Sequence, residues 1–130
     1  MPDEPRSQYQ YALIRVVPRV ERGECLNAGV VLFCRRLRFL AARTELDAAA
    51  LAALSPGCDP AAVRSHLQSL DRIAAGDPAG GPIAALEPSE RFHWLTAPAS
   101  TIVQPSPVHT GLTADPAAEL DRLFSQLVAR

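Results

Sequence analysis

Residues 9–35 run Tyr-Gln-Tyr-Ala-Leu-Ile-Arg-Val-Val-Pro-Arg-Val-Glu-Arg-Gly-Glu-Cys-Leu-Asn-Ala-Gly-Val-Val-Leu-Phe-Cys-Arg, and their reading decides the fold. The first part, Tyr9–Val17, is aromatic and β-branched and stops at Pro18, which predicts a strand. Arg19–Glu24 is charged and contains Gly23, so it reads as a turn. Leu26–Arg35 predicts a second strand. Alternation puts Leu26, Ala28, Val30, Leu32 and Cys34 on one face and Asn27, Gly29, Val31, Phe33 and Arg35 on the other. Both faces are apolar in the middle, as expected of a central strand, and the short connection makes an antiparallel hairpin the default.

Outward from this hairpin, Leu37–Arg43 predicts a third strand entered through a tight turn near Arg35 and Arg36. The chain then turns helical. Asp47 is placed to cap an alanine-rich helix over residues 48–54, ended by Ser55-Pro56-Gly57. Asp59-Pro60 pairs a cap with proline at the first helical position. Val63, Leu67, Leu70 and Ala74 follow at helical spacing until Gly76. Residues 76–82 read as a flexible connector, and the segment from Ser89 to Trp94 fits a helical turn or an extended stretch equally well. Ser100–Gln104 predicts a strand, Val108–Thr113 a polar loop, and Asp115-Pro116 a final helix whose stripe is Leu120, Leu123, Phe124, Leu127 and Val128. The expected class is α+β: a small antiparallel sheet of about four strands with helices packed on one face. Residues 1–7, acidic and proline-rich, read as a disordered tail, and residues 8–130 as a single domain.

The chain of 130 residues is long enough for one self-sufficient core. Its 48% hydrophobic and 21% charged residues exclude intrinsic disorder. No apolar run approaches the roughly 20 residues of a membrane span, and no secretory signal opens the chain. Cys25, Cys34 and Cys58 are odd in number and lack C-x-x-C spacing, which argues against a disulfide framework and a zinc site. They read as small buried hydrophobes in a reducing compartment, the cytoplasm. All thirteen basic residues are arginine. Arginine is therefore weak evidence of bidentate anion recognition here, because lysine is absent everywhere. The net charge of −1 argues against a general nucleic-acid binder.

No nucleophile elbow, phosphate-binding loop or zinc-protease motif is present, and nothing in the sequence calls for a cofactor or a metal. Three groups of residues carry the candidate chemistry. Arg15, Arg19, Glu21, Arg22, Glu24 and Asn27 gather around the hairpin turn. If Arg15 faces Asn27, the pair shares a face, and Gly29 beside it leaves room for a ligand or another backbone. An arginine held by a carboxylate can clamp a phosphate or carboxylate; the alternative is a solvated hairpin tip. His109 and Thr110 precede a helix, where histidine can serve as an acid or base, or simply as a structural residue. Arg35, Arg36 and Arg38 can touch phosphates, or can form a solvated strand end.

The segment Tyr9–Phe33, together with Gln104–Pro116 (Gln-Pro-Ser-Pro-Val-His-Thr-Gly-Leu-Thr-Ala-Asp-Pro), resembles the bacterial family known as domain of unknown function 3037. The resemblance spans about Tyr9 to Val128 and implies no activity. It does imply a small stand-alone protein, often encoded beside a kinase-like protein related to persistence-type toxin kinases. The expected function is a non-catalytic accessory protein that binds a protein partner, the kinase-like protein being the candidate. The alternative is a small-ligand or anion-binding enzyme using Arg15, Arg19, Glu21, Glu24, Asn27, His109 and Thr110. A weaker alternative is nucleic-acid binding through Arg35, Arg36 and Arg38. Homo-oligomerisation stays open.

Overall fold

The structure is a computed structural model, and it describes residues 5–130. Five strands make one antiparallel sheet: β1 (Ser7–Val16), β2 (Leu26–Cys34), β3 (Phe39–Thr44), β4 (Val103–Pro105) and β5 (His109–Thr113). β1 is central. β2 and then β3 lie on one side of it, while β4 and β5 share its other side end to end. Four α-helices accompany the sheet: α1 (Ala48–Leu54), α2 (Pro60–Ala75), α3 (Pro88–Leu95) and α4 (Pro116–Leu127). The class is α+β, as expected.

The helix starts follow from their caps. Asp47 accepts from Ala50 N–H at 2.9 Å, Asp59 from Ala61 N–H at 3.0 Å and Asp115 from Ala118 N–H at 3.2 Å. Pro60 and Pro116 take early positions where a missing N–H costs nothing. Gly76 ends α2 at φ 70°, a conformation other residues resist. The connector after it is not irregular: Pro78–Gly80 and Pro82–Ala85 form two 3-10 turns, the first capped by Asp77. α3 resolves the ambiguous Ser89–Trp94 segment as helix, entered at Pro88 without a side-chain cap.

The expectation that helices cover one face is corrected: they cover both. On one face Ala12, Ile14 and Val16 of β1 pack with Leu51 of α1, Val63 and Leu67 of α2, and Phe92 and Leu95 of α3. On the other, Tyr9 and Leu13 pack with Leu120, Leu123 and Phe124 of α4, and with Val128 just beyond it. A central strand that is apolar on both faces needs a cover on both. Each large side chain buried this way contributes on the order of 2 kcal/mol.

The predicted faces of β2 are corrected as well. Ile14 pairs with Gly29 and Arg15 with Asn27, so Ala28 is an unpaired extra residue, a β-bulge. Beyond it the alternation reverses. Leu26 and Ala28 share a core with Val31 and Phe33, whereas Val30, Leu32 and Cys34 face α4. Strict alternation cannot register an inserted residue, because one extra position turns every later side chain over.

Three further differences lie at the sheet margins. Val108–Thr113, read as a polar loop, contains β5, whose Thr113 pairs with Ser7 and whose His109 pairs with Tyr11. The fourth predicted strand is shifted to Val103–Pro105, although Ile102 still accepts from Val17 N–H at 2.6 Å. Of the expected disordered tail, residues 1–4 lie outside the described residues, and Ser7 is already a buried part of β1. The cysteines also divide: Cys34 is buried, Cys58 half-buried and Cys25 exposed, so only one is a core hydrophobe.

Candidate functional site

The hairpin between β1 and β2 brings Arg15 opposite Asn27, the arrangement the sequence leaves as a condition. Asn27 is then occupied by structure. Its amide donates to Leu127 O at 3.1 Å and ties the end of α4 to the sheet. Arg15 Nε is buried and meets no hydrogen-bond partner among the described residues. The space beside Gly29 is filled by the neighbouring strand, not left for a ligand. A Cβ there would sit 2.8 Å from Thr44 Cγ2 and 3.0 Å from Arg43 O.

At the tip, a 3-10 turn over Val20–Arg22 is closed by Gly23 at φ 71°. Arg19 pairs with Glu21 at 2.9 Å and Arg22 with Glu24 at 2.6 Å, all of them exposed. A backbone N–H, then Arg19, lowers the Glu21 carboxyl below its ordinary range, and Arg22 does the same for Glu24. Both carboxylates are therefore held ionised by their own neighbours in open solvent. Such pairs contribute little to stability.

His109 and Thr110 sit elsewhere. They are exposed on β5, opposite Tyr11 and Gln10, and the His109 ring lies 5.2 Å from that of Tyr11. Four strand positions separate Tyr11 from Arg15, about 13 Å along β1. Arg15 with Asn27 and His109 with Thr110 are thus two groups on one strand and do not converge on one concavity. Arg35, Arg36 and Arg38 occupy the turn between β2 and β3, which is closed by Arg38 N–H donating to Arg35 O at 3.1 Å, with Arg38 at φ 51°.

An apolar cleft opens where α2, α3 and β4 meet. It has a volume of about 310 Å³, and Ile14, Leu70, Trp94, Leu95, Pro98 and Val103 form its apolar wall. Trp94 is 44% exposed and Ile102, beside the cleft in sequence, 43%. Two of its polar residues are engaged by their own loop. Gln104 donates to Thr101 O at 2.7 Å, and the Thr101 hydroxyl donates to Val103 O at 2.8 Å. His66 stands exposed on its α2 wall.

A family model described as a protein of unknown function, DUF3037, matches residues 11–128. The chain belongs to the DUF3037 family. No curated protein and no solved structure matches it.

Two parts of this DUF3037 chain escaped the sequence reading. The first is the cleft itself: Trp94 reads from the sequence as a core or interface aromatic, and α3 turns it outward. The second is a polar clamp. Tyr9 donates its hydroxyl to Glu119, which Arg122 grips at 2.6 and 2.8 Å. Burial, then the Glu119 bond, pushes the Tyr9 hydroxyl up to about 12. Arg122, above all, draws the Glu119 carboxyl below its ordinary value. The clamp fastens α4 of the DUF3037 fold to β1 across 110 residues of sequence. The only sequence signal for it is the i, i+3 spacing of Glu119 and Arg122, which is common on helix surfaces. Among the described residues no helix is long and apolar enough to cross a membrane.

Proposed function

We propose that this DUF3037 chain is a non-catalytic accessory protein of the bacterial cytoplasm that acts by binding a protein partner through the Trp94 cleft. The observation that carries this reading is the cleft's chemistry: an apolar wall with a half-exposed tryptophan, Thr101 and Gln104 turned to hydrogen bonds within their own loop, and His66 as the one remaining polar side chain of its lining. A catalytic pocket needs a few free, convergent polar groups. An interface needs an aromatic anchor beside apolar surface, and tryptophan is enriched among the residues that dominate binding energy.

The occupant is a helix of the partner rather than an added strand. The open edge of β4 is poor in free backbone groups, because Pro105 has no N–H to donate and Val103 O already accepts from the Thr101 hydroxyl. A helix presenting apolar side chains three and four residues apart suits a short apolar cleft. The kinase-like protein implied by the family resemblance is the first candidate partner.

Trp94 is the chain's only tryptophan, so its fluorescence reports on the cleft directly. The test is co-purification of the tagged full chain with the candidate partner, native mass spectrometry, and emission spectra of the isolated complex. A stoichiometric complex with blue-shifted emission, lost in Trp94→Ala and kept in a Leu112→Ala control, is expected. Undiminished binding by Trp94→Ala, or an unshifted emission maximum in the complex, would overturn the reading.

A further inference from the structure

We propose that a hollow at the opposite end of the sheet, lined by Arg6, Gln8, Gln10, Phe33, Arg35 and Arg36, binds the phosphate group of a small phosphorylated molecule. The placement follows from strand alternation. Gln10 is the cross-strand partner of Phe33. Arg6, Gln8 and Gln10 continue one face of β1 toward its start, and Phe33 and Arg35 continue the same face of β2 past its end. The helices cover this face as far as Phe33, whose ring stacks on Phe92 with centroids 5.3 Å apart. Beyond that stack the face is uncovered, and the sheet end, with Ser7, borders an open hollow of about 500 Å³. That is room for a phosphate and an attached organic group, within the range of small-molecule sites.

The electrostatics of the hollow are unbalanced. Among the described residues, Arg19, Arg22, Arg43, Arg122 and Arg130 each lie within 4 Å of a carboxylate. Arg91 instead donates to backbone carbonyls of Ile73, Ala74 and Leu86. Arg6, Arg35 and Arg36 share one hollow and, like Arg15, Arg38, Arg64 and Arg72, pair with no carboxylate among the described residues. Three like charges gathered with no ion pair to a described carboxylate raise the local concentration of anions. The Arg35 guanidinium stands 5.7 Å from the Phe33 ring centroid, which braces its plane while leaving its N–H groups free. The side chains of Gln8 and Gln10 make no hydrogen bond within the described residues and add neutral donors. Because every basic residue in the chain is arginine, the inference rests on the shared hollow and on the lack of ion pairs to described carboxylates, not on arginine in place of lysine.

A single phosphate group fits better than a nucleic-acid backbone. A polyanion needs a basic track, and this one is interrupted. On its far side Arg35 borders a second hollow, shared with Arg38, whose other wall carries Glu87 and Glu90. Those carboxylates would repel a strand leaving the first hollow in that direction.

The experiment is isothermal titration of the full chain at low salt with inorganic pyrophosphate, with AMP, and with a short single-stranded oligonucleotide. The double variant Arg35→Ala/Arg36→Ala, on an exposed turn, and Gln8→Glu, which sets a negative charge in the hollow, are titrated beside it. Saturable one-to-one binding of pyrophosphate or AMP, weakened at least about tenfold in both variants at unchanged melting temperature, is the expected result. Absence of saturable binding by either small phosphate would overturn the proposal. So would binding undiminished in both variants, or oligonucleotide binding that pyrophosphate does not compete.

Discussion

Ser106 completes β1 at Leu13, where the partner strand changes from β4 to β5. The Leu13 N–H donates to Ser106 Oγ at 2.8 Å, and Ser106 N–H donates to Leu13 O at 2.8 Å. Pro105 and Pro107 flank this residue and bring no N–H of their own, so one serine supplies both partners. It is 3% exposed. Replacing it with alanine leaves a buried backbone donor unpaired, at a cost of about 1–3 kcal/mol. Ser106→Ala is expected to unfold at lower urea with an unchanged slope, and its Leu13 amide to exchange faster. A midpoint equal to wild type would show that water replaces the hydroxyl.

The Tyr9–Glu119–Arg122 clamp sets an alkaline limit. The Tyr9 hydroxyl is raised in the folded state to about 12, from an ordinary 10.0. A group whose folded pKa is raised supports the fold fully below its unfolded pKa and loses that support as pH climbs through the folded one. Stability from Tyr9 is therefore present below about pH 10 and lost between about 10 and 12. Glu119 acts in the opposite range. Its lowered carboxyl supports the fold above the ordinary glutamate range, and that support fades on acidification. Urea titrations from pH 8 to 12 are expected to show a falling midpoint that Tyr9→Phe flattens. An equal alkaline decline in both proteins would remove Tyr9 from the explanation.

Asp71 on α2 is a destabilising carboxylate. Its Oδ2 accepts from the Thr44 hydroxyl at 2.6 Å, while its Oδ1 is buried without a partner. Burial raises its pKa, and the Thr44 bond offsets this only in part. The folded state thus favours the protonated acid, and stability falls as pH rises from the unfolded carboxylate's pKa through the folded one. Asp71→Asn keeps the shape and an acceptor for Thr44. It is expected to be more stable than wild type at pH 7 and to converge with it near pH 3. Thermal melts at the two pH values decide the matter, and a variant less stable at pH 7 contradicts it.

Gly29 is required by the close approach of β3 to the bulge. An added Cβ would stand 2.8 Å from Thr44 Cγ2, 3.0 Å from Arg43 O and 3.3 Å from Ile14 Cδ1. The backbone oxygen cannot swing aside as a side chain can. Gly29→Ala is expected to cost about 1–3 kcal/mol by overpacking. Differential scanning calorimetry on the variant checks this, and an unshifted melting temperature would mean that β3 moves away freely.

Much of the fold was legible in local chemistry. The aspartate caps and early prolines mark where α2 and α4 begin, and Gly76 marks where α2 ends, because those signals act within a turn of the backbone. Tyr9–Val17 and Leu26–Arg35 declare a hairpin because their composition suits a doubly buried sheet. The pairing of Arg15 with Asn27 was open in the sequence, because the bulge at Ala28 sets the register there. His109 and Thr110 gave no sign of their strand, because polar and glycine residues at a sheet edge resemble those of a loop. The Trp94 cleft was equally silent, since a tryptophan near a helix end carries no mark of whether it faces inward or outward.

The sequence by itself determined the class, the central hairpin, the helix boundaries set by their caps and the all-arginine character of the basic surface. Each depends on residues close together along the chain. Only the tertiary structure decided that Ala28 bulges and reverses β2, and that α4 crosses to the second face. It alone also shows that Ser106 mends β1, that Trp94 opens a cleft and that Arg6 meets Arg35 and Arg36. These are contacts between distant segments, and they arise because each strand and helix must bury its apolar face against a partner that local sequence does not name.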